Sequence, residues 1–182
     1  NKSYTANWSP KHYTLKLNPN SGQFKDGSNA IKTLPVDLIY NSGNYWTLSQ
    51  ADVTPTRVGY TFLGWYDSID NGVLVYSPDG NCVPNTKYWK QTKTETPQYS
   101  YDGNLTVYAQ WKKQYTLSFD ANGGTVSETS RTVLEGTQVG SLPTPTKEGY
   151  RFYGWYAISN NSDWQTSYLI WSNHILKQDL KK

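Results

Sequence analysis

The nine residues EGYRFYGWY at Glu148 to Tyr156 repeat almost letter for letter as VGYTFLGWY at Val58 to Tyr66. A chain built from two copies of one module must solve the same packing problem twice. Both copies place Thr-Pro-Thr ahead of the motif, Thr54-Pro55-Thr56 and Thr144-Pro145-Thr146, at the same offset of 90. An earlier pair, YTLKLNPNSG from Tyr13 and YTLSFDANGG from Tyr115, is offset by 102, so the second copy is shorter by twelve residues between these blocks. A third likeness is displaced: NLTVYAQW at Asn104 to Trp111 resembles the extreme N-terminus, NKSYTANW at Asn1 to Trp8. The organisation expected is residues 1–8 as a closing strand of a preceding or neighbouring repeat, 12–111 as a first module with insertions, and 115–182 as a second, incomplete module.

Small modules need a dense core. Here 16 Tyr and 8 Trp dominate an aromatic content of 15%, and such rings bury a large area each. The single Cys82 excludes an internal disulfide framework and a cysteine-based zinc site. Its expected role is that of a half-buried small hydrophobe. The net charge of +3, from 17 basic and 14 acidic residues, contains no basic run longer than a pair, which argues against nucleic acid as a partner. No stretch reaches the roughly 20 apolar residues needed to span a bilayer. The chain contains no Met and starts without one, as a processed or excised segment of something longer would.

Within a module, Tyr115, Leu117 and Phe119 alternate with Thr116 and Ser118, the period of a strand with one buried face. Tyr13, Leu15 and Leu17 repeat the pattern. Each run meets a turn signal, Asn18-Pro19-Asn20-Ser21-Gly22 or Asp120-Ala121-Asn122-Gly123-Gly124, where Asn and Gly accept positive φ cheaply. A hairpin follows, with its return strand in the second module near Thr129 to Leu134 and a short turn or helix near Val139 to Leu142. Pro143 and Pro145 preclude a long helix. The repeated motif reads as a strand, with Tyr150, Phe152 and Gly154 on one face and Arg151, Tyr153 and Trp155 on the other. Gly64 and Gly154, mid-strand, are expected to leave space for a cross-strand Trp. Leu105, Val107, Ala109 and Trp111 give the closing strand. The fold class expected is mainly β: two tandem small modules, the first enlarged by insertions, the second lacking its closing strand.

The order YTLSFDANGG, PTKEGYRFYGWY and then NLTVYAQW resembles the Listeria–Bacteroides repeat, the family of the internalin B-repeat, found in tandem on secreted and surface proteins of bacteria. The resemblance implies a β-grasp-like sheet and a non-enzymatic, extracellular role at the cell surface or in secreted form, as a stalk or adhesive spacer. It supplies no catalytic residue and no cofactor. The partners it leaves open are adjacent repeats, other copies of the chain, and host or matrix glycan or protein. Two features depart from the family: the insertions at Asn29 to Gln50 and Asn71 to Gly103, and the displaced terminal strand. Trp46 and Trp89 fall in the insertions among Tyr and amide side chains, a composition that stacks and hydrogen-bonds sugars, so these two rings are the candidate ligand-binding residues; the alternative is that the insertion rings cover a small core of their own.

Catalytic patterns are not evident. His12 and His174 stand more than 160 positions apart and belong to no HExxH or nucleophile pattern. Asp120-Ala121-Asn122-Gly123 is similar to the start of a calcium loop, but its twelfth position is Arg131 rather than a bidentate acid. Asp37, Asp52, Glu95 and Asp163 show no pairing of the glycosidase kind. An internal Lys-to-Asn isopeptide bond leaves no mark that sequence alone identifies.

In the N-terminal segment, Tyr4, Ala6 and Trp8 map onto Val107, Ala109 and Trp111, so they are the candidate strand-exchange residues. Two readings stand. The segment is the end of a repeat cut from a longer array, or it completes the second module of another molecule by strand addition, making the chain a self-assembling filament subunit. Folding back onto its own second module is disfavoured, because Ser9 to His12 spans at most about 14 Å. The three residues Lys112 to Gln114 between Trp111 and Tyr115 predict modules held end to end with limited bending.

Overall fold

The computed structural model describes residues 2–43, 47–48, 53–93, 95–157 and 168–169. The protein is mainly β, with strands β1 (His12–Asn18), β2 (Lys32–Ile39), β3 (Tyr60–Tyr66), β4 (Leu74–Tyr76), β5 (Trp89–Lys90), β6 (Gln98–Tyr99), β7 (Leu105–Ser118), β8 (Ser130–Leu134), β9 (Tyr156–Ala157) and β10 (Tyr168–Leu169). The chain divides into two compact units, Asn1–Lys112 and Lys113–Lys182.

In the first unit the strand order is β2-β1-β7-β3-β4. β1 turns at Asn18 to Gly22, where Asn20 and Ser21 take φ of 44° and 67°, and β2 returns antiparallel to it. β7 then lies parallel to β1, with Leu15 opposite Leu105 and Leu17 opposite Val107. A parallel pair requires a crossover, and β2, β3 and both insertions supply it. The alternation read in the sequence is realised here: Leu15, Leu17, Leu105, Val107 and Ala109 are all buried.

The insertions do not build a separate core. Val75, Tyr76, Cys82, Tyr88, Trp89 and Tyr99 join Leu15, Leu17, Trp65 and Val107 in one continuous cluster. Tyr76 and Tyr99 stand edge-on to Trp89 at 5.8 and 5.5 Å between ring centres, the geometry that aromatic quadrupoles favour. Asp67, just after β3, fixes one insertion by accepting from Tyr88 Oη at 2.8 Å and Val73 N at 2.6 Å and by pairing with Lys87 at 2.9 Å.

Gly64 answers a close approach, but not of a tryptophan. Its φ is 116°, and a Cβ there would meet the Tyr76 carbonyl and Leu74, residues of β4. The glycine that makes room for an indole is Gly22, whose Cβ would overlap the Trp111 ring.

In the second unit, the last residues of β7 pair antiparallel with β8, Tyr115 opposite Val133 and Leu117 opposite Arg131. Val133 and Val139 form a small buried cluster with Tyr115, Leu117 and Leu142 packed on it. Arg131 closes the loop behind β8 by donating to the carbonyls of Val139 and Ser141 at 2.9 and 2.8 Å and pairing with Glu128. Val139 to Leu142 form no helix. The strand expected at Tyr150 to Trp155 is not formed; only Tyr156–Ala157 pairs, with β10. In the first unit the equivalent strand β3 is hydrogen-bonded between β7 and β4, neighbours that residues 150–155 do not have among the described residues. A strand gains little without neighbours to satisfy its backbone.

Candidate strand-docking site

The two copies of the motif differ in what covers them. In the first unit, Trp111 at the end of the closing segment lies against Phe62, 5.5 Å between ring centres. Its Nε1 donates to the carbonyls of Asn20 and Pro19 at 2.9 and 3.2 Å. Asn20 Nδ2 donates in turn to the Ala109 carbonyl at 2.9 Å. The turn after β1 is thus a socket for the closing strand: one indole, one backbone carbonyl of β7 and three polar groups of the turn.

The second unit builds the same socket. Asn122 N donates to Asp120 Oδ1 at 2.8 Å as Asn20 N does to Asn18 Oδ1 at 2.9 Å. Gly124 N reaches the Ala121 carbonyl as Gly22 N reaches that of Pro19. Thr125 and Thr146 exchange both backbone hydrogen bonds at 2.8 Å, matching Gln23 and Thr56. The positive φ values correspond: 44° at Asn20 and 47° at Asn122, 76° at Gly59 and 77° at Gly149. Phe152 and Trp155 keep the edge-on contact of Phe62 and Trp65, at 5.7 and 5.4 Å.

Above this socket the aromatic face is open among the described residues. Tyr150 and Tyr153 are 74% and 84% exposed, and Phe152 is exposed as well, whereas Tyr60, Phe62 and Leu63 in the first unit are half-buried. A cavity of about 320 Å³ lies between the turn and the motif, lined by Ala121, Asn122, Lys147, Phe152 and Trp155 among others. Lys147 Nζ donates to the Asn122 carbonyl at 2.9 Å, the atom corresponding to the one that Trp111 holds in the first unit.

The candidate residues distribute unevenly. Tyr4 and Trp8 are 90% and 87% exposed, Ala6 is exposed too, and residues 2–10 form no strand. Trp89 is fully buried between Tyr76 and Tyr99; its ring offers no face to a sugar, because the insertion spends it on the core. Trp46, like Asp52, Asp163 and His174, lies outside the described residues. Burial pushes the Cys82 thiol up to about 12, which removes the thiolate that nucleophilic or metal chemistry needs. Among the described residues no His, Cys, Asp and Glu side chains gather as a metal site requires, and no helix is long and apolar enough to cross a membrane. The signal for the socket residues was present in sequence as the matching turns, but which atoms of the turn hold the strand emerges only from the folded first unit.

A mixed sheet of this order, with Trp111 of β7 seated on the turn after β1, defines the chain as a mainly β protein. It belongs to the Listeria–Bacteroides repeat family, whose model matches residues 13–87 and 115–177. Similar curated proteins include a putative membrane protein of Evansella cellulosilytica, 30% identical over 83% of this chain and 18% of that protein. A putative Gly-rich membrane protein of the same organism is 28% identical over 91% of the chain and 17% of its own length. Internalin H of Listeria monocytogenes is 32% identical over 64% and 18%. The chain therefore spans less than a fifth of the curated relatives it matches. No solved structure matches it.

Proposed function

We propose that this chain is a non-enzymatic repeat segment of a bacterial surface protein, acting outside the cell as a spacer or adhesive stalk. The observation that carries this reading is the duplication itself: one β module, matched twice by the same family model, with the largest side chains of the first copy committed to its core. Trp65, Trp89, Tyr76 and Tyr99 are all buried in the first unit. Repetition of a structural unit extends a protein and multiplies a surface without requiring a reactive centre. The relatives support the context, since each is several times longer than this chain and one is named an internalin.

An antibody raised against the chain tests the reading on intact cells of the organism that makes it. Labelling before permeabilisation, lost after brief surface proteolysis, is the expected outcome. Labelling that appears only after lysis overturns the surface assignment.

A further inference from the structure

We propose that the aromatic side chains of the first unit form a relay for one-electron oxidation, draining an oxidised core ring to Tyr88 and Tyr13, where a carboxylate takes the phenolic proton. The inference goes beyond the surface-repeat reading and rests on contacts within the first unit alone.

Met and Cys are the side chains that ordinarily absorb oxidants. This sequence has no Met and a single Cys; Cys82 is buried, and that burial pushes its thiol up to about 12. Oxidising chemistry at the chain therefore falls on Tyr and Trp rings. In the first unit these rings follow one another in contact: Tyr76 to Trp89 at 5.8 Å between centres, Trp89 to Tyr99 at 5.5 Å, Tyr99 to Tyr101 at 6.4 Å and Tyr101 to Tyr88 at 5.1 Å. A branch runs from Tyr99 to Tyr13 at 6.2 Å. Rings this close exchange an electron far faster than a radical on one of them reacts with its surroundings.

Protons set the direction. A ring that loses an electron becomes a cation, and in an apolar core that charge is costly unless a proton leaves with it. Trp89 has no such exit, since its Nε1 is buried without a hydrogen-bond partner. Tyr99 Oη donates to the Gly103 carbonyl at 2.8 Å, too weak a base to take the proton. At the two ends of the relay the acceptor is a carboxylate: Tyr88 Oη donates to Asp67 Oδ2 at 2.8 Å, and Tyr13 Oη donates to Asp102. Each carboxylate is paired with a lysine, Asp67 with Lys87 at 2.9 Å and Asp102 with Lys11 at 2.7 Å. An oxidised phenol is a far stronger acid than a carboxylic acid. The O–H bond therefore breaks, the electron goes to the oxidant, the proton goes to Asp67 or Asp102, and a neutral phenoxyl radical remains. An external reductant that returns one electron lets the proton move back and restores the phenol. Lys87 Nζ, 4.8 Å from the Tyr88 ring centre, reinforces the coupling, because its charge opposes a ring cation at that position.

The relay is tested on the full chain with a one-electron oxidant, photogenerated tris(bipyridine)ruthenium(III) with persulfate as the sacrificial acceptor, at low dose. Products are located by peptide mass spectrometry, and the radical is identified by freeze-quench electron paramagnetic resonance. Tyr76, Tyr88 and Tyr99 are all buried, so exposure does not distinguish them. Product is expected at Tyr88 and Tyr13, with a tyrosyl signal, while Tyr76, Tyr99 and Trp89 stay intact; ascorbate added directly after the flash is expected to suppress the products. Asp67→Asn combined with Asp102→Asn is expected to raise the loss of Trp89 severalfold. Tyr13→Phe combined with Tyr88→Phe is expected to do the same while leaving both Lys–Asp pairs in place, and near-ultraviolet circular dichroism checks that each variant keeps its fold. A Tyr88 as inert in the native chain as Tyr76 and Tyr99, a Trp89 consumed there as readily as Tyr88, or a Trp89 loss unchanged in both folded double variants overturns the proposal.

Discussion

Trp65 and Trp155 occupy equivalent positions in the sequence yet carry different loads. Trp65 is 1% exposed, stacked on Phe24 and edge-on to Phe62, so Trp65→Ala is expected to cost about 3 to 5 kcal/mol, read as a shift in the urea midpoint. Trp155 is half-buried, held by Phe119 and by donation of its Nε1 to the Pro143 carbonyl at 2.7 Å. Trp155→Ala should cost clearly less, and equal losses at the two sites would contradict the different packing. Cys82 gives a second check at this scale. With its thiol pushed up to about 12 by burial, it should resist alkylation at neutral pH in the folded chain and react fully once the first unit is unfolded; rapid labelling of native protein would place it elsewhere. Trp89 is a third case, since its Nε1 is buried without a hydrogen-bond partner. Removing an unsatisfied buried donor recovers part of the energy lost with the side chain, so Trp89→Phe should be milder than Trp65→Phe.

At the scale of elements, the first module's insertion is held by ionisable groups as well as by rings. Burial alone would raise the Asp67 carboxyl, but the hydrogen bonds from Lys87, Val73 and Tyr88 outweigh it and hold the group below the ordinary value of 3.8. A depressed carboxyl stabilises the fold above its unfolded value, and that contribution disappears as pH falls through the lower folded value. Stability of the first unit should therefore drop below about pH 4, and Asp67→Asn should flatten that dependence. An unchanged acid limb in the Asn variant would remove Asp67 from the account. Strand β3 depends on a different constraint. Gly64 combines φ of 116° with a carbonyl pressed against it, so Gly64→Ala forces strain and overlap together, whereas the exposed Gly59, with open space where its Cβ would lie, has only the conformational cost of its positive φ to meet.

Among the described residues, the first unit gathers the β1, β3 and β7 side chains with the insertion rings in its core, and the described core of the second holds Val133, Val139, Phe119 and the residues packed beside them. Because protection against exchange follows buried contacts, amides of β8 should exchange faster than those of β1 and of β7 opposite β1. Equal protection in β8 and β1 would contradict the different packing described for them.

The sequence by itself determined the duplication, the alternating strands, the turns at Asn18 to Gly22 and Asp120 to Gly124, and the family, because periodicity and positive-φ residues are local signals. Tertiary structure decided what those signals meant. Tyr60 to Tyr66 form a strand and residues 150–155 do not, although the letters nearly coincide, since a strand exists only where neighbouring backbones satisfy its hydrogen bonds. Trp89 reads as a ligand platform in its polar surroundings but packs inward, because the long insertion joins the core of its host sheet instead of standing apart. The socket is likewise a property of the fold: which carbonyls of a turn receive an indole depends on where a distant strand arrives, and no spacing along the chain encodes that arrival.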